Sequence, residues 1–278
     1  KVGIFIGGTN IIEDFKNIKN CNIIIGTIGR INHLFLKKKF LYNYVKIFVC
    51  DEADNIFDNN TNKDIYNIIS QVNSKTQKIL ISATLNNYVF SVSEKFLNDP
   101  VKILLKKSEI AVDLISQFYI DTEVEEYKFD VFLDLYNIIS TTQAIIFCNT
   151  IRTVDWLSKE LVEKNFAITA IHSKMSQDDR NLIVNDFRNG KTRLLLTTDL
   201  LSRGIDIPQV NLVINYDLPI NKETYIHRIG RCGRFGKKGV SISMVKMNDS
   251  NEVKILNRMK NYYNIDINEL PEDIEKYI

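Results

Sequence analysis

Short apolar runs and longer segments with helical spacing alternate along the whole chain. The segment 153–165, for example, carries Val154, Leu157, Leu161 and Val162 on one helical face. Such alternation predicts βαβ units built around parallel sheets. The predicted strands are 2–6, 22–26, 45–50, 78–81 and 101–105 in the first series, and 116–121, 143–147, 167–171, 192–197, 211–214 and 239–245 in the second.

Two series of strands predict two α/β domains. We expect a first domain over residues 1–107, a charged linker without periodicity over 108–114, and a second domain over 115–278. A length of 278 residues with 45% apolar and 25% charged residues suits two compact domains.

Composition excludes several classes of protein. The net charge of +2 argues neither for nor against nucleic acid, so local clusters must decide. Four cysteines without a CxxC pair predict no structural zinc site and fit a reducing compartment. We find no apolar run of membrane-spanning length and no secretory signal, so we expect a soluble intracellular protein without membrane contact.

Three carboxylates lie where a predicted strand ends. Asp51-Glu52-Ala53-Asp54 directly follows the apolar run 45–50. In open α/β sheets, ligands bind at the carboxyl ends of strands, and hard carboxylate oxygens suit a magnesium ion that carries nucleotide phosphates. An ordinary acidic turn explains these four residues about equally well.

A basic cluster follows farther along the chain. Residues 227–236 read His-Arg-Ile-Gly-Arg-Cys-Gly-Arg-Phe-Gly, with arginines three residues apart and glycines between them. Guanidinium groups are suited to phosphate oxygens. We expect a helix over 225–229, capped at Asn221 and ended by the glycines. A solvated basic turn is the alternative, which the acidic cluster of opposite charge in the same chain disfavours.

Four motifs now stand in a recognisable order. Ser82-Ala83-Thr84 and the segment 197–206 (Thr-Thr-Asp-Leu-Leu-Ser-Arg-Gly-Ile-Asp) lie between the two charged clusters. The chain resembles the DEAD-box RNA helicases of superfamily two over essentially its whole length. Its segments 154–157, 198–201 and 213–219 resemble the translation initiation factor 4A group. The resemblance implies an α/β fold of two RecA-like domains with parallel sheets flanked by helices, the first domain being truncated at its N-terminus.

The resemblance also implies a site for ATP and Mg²⁺. Asp51 would hold the magnesium through water, and Glu52 would orient and deprotonate the attacking water. Arg231 and Arg234 would stabilise charge on the phosphoryl group as arginine fingers. Gly204 and Asp206 would contribute to nucleotide binding, Asp206 through the ribose or the finger network. Asp54 would hydrogen-bond Ser82 and Thr84 and couple the nucleotide site to the second domain, whereas His227 is equally a packed histidine or a member of this network.

RNA is the implied macromolecular partner. The family grips the sugar-phosphate backbone, so sequence preference should be weak. The residues at matching positions are Gly7, Gly8, Thr27 and Arg30 in the first domain, and Asn149, Arg180 and Thr198 in the second. A scaffold protein of translation initiation is a further partner, and we expect a monomer in the cytoplasm, with the nucleus as the alternative.

One departure from the family pattern concerns ATP binding. The phosphate-binding motif GxxxxGK[ST] is missing, and residues 3–9 imitate only its glycine spacing, because Thr9 stands where lysine is needed. We therefore expect the 278 residues alone to bind ATP poorly and to be inactive. Two other functions stay open: a non-catalytic RNA-binding scaffold, and a nuclear RNA clamp in mRNA processing.

Overall fold

The structure is a computed structural model that describes residues 1–37, 42–57, 62–84, 87–104, 114–139, 143–201, 210–233 and 236–277. The chain divides into two compact units, Lys1–Ile103 (unit 1) and Leu104–Ile278 (unit 2). Except for Leu114, the predicted linker 108–114 lies outside the described residues. Among the described residues, no helix has both the length and the apolar character needed to cross a bilayer.

The described part of unit 1 alternates strands and helices as the sequence predicts. Its strands are β1 (Val2–Phe5), β2 (Ile23–Gly26), β3 (Ile47–Cys50) and β4 (Gln77–Leu80). Its helices are α1 (Ile11–Asn17), α2 (Ile28–Leu36), α3 (Ala53–Ile56), α4 (Asn62–Gln71) and α5 (Asn87–Phe96). The strands form two separate parallel pairs, β1 with β2 and β3 with β4.

One face of the β1–β2 pair is apolar and exposed. Val2 lies opposite Ile23 and Ile4 opposite Ile25, and all four side chains are more than half exposed. Side chains alternate between the faces of a strand, so Phe5 instead packs with the buried Ile18 and Leu34. The two-stranded pair therefore buries only one of its faces within the described residues.

The predicted strand over 101–105 is wrong for residues 101–104, which form no strand. Val101 and Ile103 are 89% and 87% exposed. A strand needs a neighbour for its backbone N–H and C=O groups, and no described strand pairs with this segment. A run of apolar, β-branched residues is therefore not enough to form a strand here. Leu105 lies outside the described residues.

Unit 2 contains a larger sheet. Its strands are β5 (Ile115–Asp121), β6 (Ala144–Phe147), β7 (Ile168–Ile171), β8 (Leu194–Thr197), β9 (Leu212–Asn215), β10 (Gly239–Val245) and β11 (Asn268–Glu269). Its helices are α6 (Lys128–Ile139), α7 (Ile151–Glu163), α8 (Gln177–Arg188), α9 (Lys222–Ile229) and α10 (Ser250–Tyr263). All strand pairs are parallel, in the order β11-β5-β10-β9-β6-β8-β7.

The strands at the centre of this sheet are buried on both faces. In β6, Ile145 and Phe147 belong to one hydrophobic cluster, and Ala144 and Ile146 belong to the cluster on the opposite face. Continuous apolar strands are typical of a parallel sheet covered by helices on both sides. The predicted strands of unit 2 are confirmed to within two residues at each end.

Local capping decides where α7 begins. The structure starts it at Ile151, two residues before the predicted start, because Thr150 accepts a hydrogen bond from the Thr153 N–H at 3.0 Å. The predicted end of α9 at the glycines is confirmed, with Gly230 as C-cap residue. The helix begins at Lys222, three residues before the predicted range, and Asn221 is its N-cap residue but makes no capping bond through its side chain.

Candidate functional site

The acidic cluster of unit 1 begins directly after β3. Asp51 is exposed, and its Oδ1 accepts the backbone N–H of Glu52 at 2.8 Å. Glu52 has φ 52° and ψ 47°, in the left-handed region. This conformation costs a non-glycine residue about 1–2 kcal/mol, and such strain is concentrated at functional sites. The predicted general base is therefore held in a strained turn.

The chemistry of this turn fits a hydrated magnesium ion. No group of three or more His, Cys, Asp or Glu side chains able to cage a metal occurs in the part of the chain that the structure describes. Magnesium keeps several waters and uses only one or two carboxylates together with substrate phosphates. The exposed Asp51 carboxylate meets that requirement, so the ion would depend on a nucleotide for its other ligands.

Asp54 and Thr84 are joined by a hydrogen bond. Thr84 Oγ1 donates to Asp54 Oδ2 at 2.7 Å, and Ser82 Oγ donates to the Thr84 carbonyl at 2.7 Å. Ser82 Oγ also accepts the Asp54 backbone N–H at 3.3 Å, so Ser82 meets the backbone of Asp54 and not its carboxylate. These contacts form because β3 and β4 are parallel neighbours whose carboxyl ends meet. The predicted Asp54–Thr84 bond is confirmed, whereas its coupling role stays a prediction.

A second polar edge follows β1 and β2. Gly7 and Gly8 come after β1, Gly8 has φ +84°, and a Cβ on either glycine would meet nothing within 4 Å. Thr27 is the exposed N-cap residue of α2. The parallel pairing of the strands thus brings three predicted RNA-binding residues to one edge. Gly7 and Gly8 are exposed there, whereas the Thr27 backbone N–H donates to the Phe5 carbonyl at 3.1 Å.

Arg30 was expected to contact RNA, but its guanidinium is used inside unit 1. Nη1 pairs with the Asp14 carboxylate, and Nη2 donates to the Thr9 carbonyl at 2.9 Å. The Arg30 and Asp14 side chains are each only 10% exposed. The residue therefore ties the start of α2 to α1 and to the loop that carries Gly7 and Gly8.

In unit 2, three strand ends meet around Arg228. Its Nε donates to Asp199 Oδ1 at 2.6 Å, Nη1 to the Asp217 carbonyl at 2.7 Å, and Nη2 to Asn149 Oδ1 at 2.8 Å. Asn149, Asp199 and Asp217 follow β6, β8 and β9, which are adjacent in the sheet. Arg228 is fully buried, and its guanidinium carbon lies 5.2 Å from the Phe147 ring centroid.

Sequence reasoning missed this role of Arg228 and assigned function to its neighbours. One signal was available: the spacing of Tyr225, Arg228 and Ile229 places the arginine on the same face of α9 as two core residues, and all three are fully buried. A guanidinium on such a face needs several acceptors, which the strand ends provide.

The remaining predicted residues of unit 2 make contacts other than those around Arg228. His227 is 5% exposed, and its carbonyl accepts a hydrogen bond from Arg231 Nε at 3.2 Å. Arg180 lies on α8 with Nε 3.4 Å from the Ser176 carbonyl, and Thr198 follows β8. Gly204, Asp206 and Arg234 lie outside the described residues.

The cysteines beside these sites are structural. Burial, followed by the charge of Asp51, raises the pKa of the Cys50 thiol to about 12. Burial also raises the pKa of the Cys148 thiol, and the nearby Asp217 carboxylate raises it further. Both thiols therefore stay protonated at neutral pH and act as small core residues.

The fold and the polar strand ends define the class of protein. Both units are parallel α/β structures whose candidate residues follow the carboxyl ends of strands. Residues 1–91 match the DEAD/DEAH box helicase family, and residues 127–236 match the helicase conserved C-terminal domain.

Similar proteins identify the family. The chain is 45% identical over 274 residues to the ATP-dependent RNA helicase eIF4A of Candida glabrata, covering 99% of this chain and 68% of that protein. It is 46% identical to the eIF4A of Saccharomyces cerevisiae strain YJM789, covering 99% and 69%. A structure of S. cerevisiae Dbp5 bound to RNA and ADP BeF3 matches with a TM-score of 0.89 at 34% identity, covering 99% of this chain and 71% of that one. The chain belongs to the DEAD-box family of RNA helicases.

Proposed function

We propose that this chain acts in an ATP-dependent RNA helicase of translation initiation, which couples RNA-stimulated ATP hydrolysis to local separation of RNA duplexes. The acidic turn after β3 carries the proposal, because it combines an exposed Asp51, a strained Glu52 and the Asp54–Thr84 hydrogen bond. The similarity to two helicases named eIF4A, over 99% of the chain, supports it.

We assign a role in ATP hydrolysis to each residue of the proposed nucleotide site. Asp51 would hold the water shell of a magnesium ion bound with ATP, and that ion would neutralise phosphate charge. Glu52 orients the attacking water and takes its proton. Arg231 and Arg234 stabilise the charge that develops on the transferred phosphoryl group. Gly204 and Asp206 contribute to binding of the nucleotide.

RNA binding in this proposal depends on backbone contacts. Gly7 and Gly8 offer amides at the β1–β2 edge, Thr27 offers an exposed side chain there, and Thr198 and Arg180 belong to unit 2. The Asn149 side chain already accepts from Arg228 and donates to the Leu218 carbonyl at 3.0 Å, and its backbone N–H donates to Asp217 Oδ2 at 2.8 Å. We therefore assign Asn149 to RNA through its backbone carbonyl, which can accept from a ribose 2′-hydroxyl. Binding through phosphates should weaken steeply as salt is added.

Several finer features belong to the same proposal. A cytoplasmic monomer that works with a scaffold protein of initiation agrees with the eIF4A similarity, whereas a nuclear RNA clamp would use the same motifs. Sedimentation of the purified protein would test the monomer. A comparison of its binding to initiation scaffolds and to splicing proteins would distinguish a role in translation initiation from one in mRNA processing.

ATP affinity needs a phosphate cradle that these 278 residues do not contain. We expect calorimetry on residues 1–278 to detect no tight ATP binding. A chimera that places a GxxxxGK[ST]-containing segment of a yeast eIF4A before Lys1 should bind ATP, hydrolyse it faster with RNA and separate short duplexes. Tight ATP binding by residues 1–278 alone would contradict the first expectation. A well-folded chimera that binds ATP without RNA stimulation would contradict the proposed function.

A further inference from the structure

A pocket of about 670 Å³ lies on unit 2, between the start of α6 and the first turns of α7. None of the residues proposed for ATP or RNA lines it. The lining residues that matter below are the carboxylates of Glu125, Glu126 and Asp130, the rings of Phe129 and Trp156, and the guanidinium of Arg152.

The pocket is negatively charged. Three carboxylates and one guanidinium give its lining a net charge of −2. Glu125 is balanced by Lys246 at 2.9 Å and Lys128 at 3.5 Å, which leaves Glu126 and Asp130 against Arg152 and a net charge of −1. Glu126 and Asp130 are exposed, and within the described ranges no cation pairs with either of them. These two carboxylates would repel RNA phosphates and attract a cation.

Trp156 provides an aromatic surface beside these charges. It is the only tryptophan of the chain and is 42% exposed. Its ring lies edge-on to Phe129, with 5.5 Å between the centroids, which limits its movement. A large, partly exposed ring at a pocket is a typical anchor of a protein interface, and its face attracts guanidinium groups.

We propose that this pocket binds an arginine-bearing segment of a partner protein. The guanidinium stacks on Trp156 and pairs with Glu126 and Asp130, while an apolar neighbour of the arginine packs on Phe129. Arginine suits the site better than lysine, because its planar group stacks and pairs at the same time. The proposal does not depend on ATP hydrolysis, since the lining residues are separate from the acidic turn of unit 1.

Trp156 permits a direct test, because all tryptophan emission of the chain comes from the pocket. The probes are the peptide Ac-Gly-Arg-Leu-Arg-Gly-NH2, the same peptide with glutamate in place of each arginine, and oligouridine. The arginine peptide should change the emission saturably, and added salt should weaken its binding. The glutamate peptide and oligouridine should leave the emission unchanged at equal concentration.

Two double variants distinguish binding in the pocket from non-specific electrostatic attraction to the protein. Glu126→Gln with Asp130→Asn should weaken binding of the arginine peptide at least about fivefold. Asp134→Asn with Asp178→Asn removes the same charge from exposed positions of α6 and α8 outside the pocket, and should leave binding unchanged. Circular dichroism verifies that both variants are folded. No saturable change, equal weakening by both variants, or a response to oligouridine alone would overturn the proposal.

Discussion

Arg228 Nε donates a hydrogen bond of 2.6 Å to Asp199 Oδ1, from a side chain without solvent exposure to one that is 48% exposed. Since Asp199 follows β8 while Arg228 lies on α9, this bond joins α9 to a strand end of the sheet. The remaining donors of Arg228 reach the ends of β6 and β9. One buried guanidinium thus fixes the relative positions of the loops after β6, β8 and β9, the first two of which carry the predicted RNA-binding residues Asn149 and Thr198.

Replacing Arg228 should destabilise unit 2. We expect Arg228→Met to lower the free energy of unfolding by about 2–4 kcal/mol, because three acceptors lose their partner. Arg228→Lys should recover only part of this loss, since an ammonium does not reproduce the fork of donors. Urea unfolding with hydrogen exchange of the β6, β8 and β9 peptides measures the effect. The exposed Arg258→Met is the control and should change stability by less than about 0.5 kcal/mol. An Arg228→Met variant as stable as this control would refute the structural role.

The hydrogen bond between Thr84 and Asp54 should stabilise unit 1. Thr84→Val removes a donor to Asp54 Oδ2 and should cost about 1–2 kcal/mol in unfolding free energy. Thr27→Val is a matched control, because Thr27 is exposed and its side chain makes no capping bond. A double-mutant cycle with Asp54→Asn would isolate the pair, and a coupling energy near zero would show that the bond contributes nothing.

Arg30, held in place by Asp14, should position the glycine loop through its hydrogen bond to the Thr9 carbonyl. Both Arg30→Ala and Asp14→Asn break the ion pair, so both should speed hydrogen exchange of the backbone amides of residues 6–10. Lys19→Ala, at an exposed position of unit 1, should leave that exchange unchanged. If Arg30 instead contacts RNA without positioning the loop, neither Arg30→Ala nor Asp14→Asn will alter exchange in the free protein.

The cysteines should differ in reactivity. With a pKa of about 12, the Cys50 thiol is ionised in only about one molecule in ten thousand at pH 8. Since the thiolate is the reactive form, Cys50 and Cys148 should resist iodoacetamide in the folded protein and react once it is unfolded in urea. Cys21, which is only partly buried, should react first. Peptide mass spectrometry after timed labelling reports the order, and rapid labelling of Cys50 in the folded chain would be the contrary result.

The sequence predicts this fold where a local pattern and its tertiary environment agree. Strands β6, β8 and β9 are continuous apolar runs and become fully buried, so composition and burial lead to the same result. Residues 101–104 have a similar composition but lack a described partner strand, which only tertiary structure can supply. Pairing between distant strands is not encoded in the local pattern.

The sequence predicts which residues belong to the site better than it predicts the contacts that these residues make. The hydrogen bond between Asp54 and Thr84 was expected from the resemblance to the DEAD-box helicases, and the structure confirms it. Arg30 was expected to contact RNA and Arg228 was given no role of its own, whereas the structure pairs their guanidinium groups with Asp14 and Asp199. Which arginine is paired internally depends on acceptors from distant segments of the chain, and these appear only when the sheet is assembled.

The most direct test of the proposed nucleotide site is RNA-stimulated ATP hydrolysis in the chimera, compared with its Glu52→Gln and Glu13→Gln variants. Glu52→Gln preserves shape but removes the base, so turnover should fall at least about a hundredfold while RNA binding is retained. Glu13→Gln changes an exposed glutamate of α1 and should leave turnover unchanged. Unaltered turnover in Glu52→Gln would contradict the assignment of the acidic turn after β3 as the catalytic site.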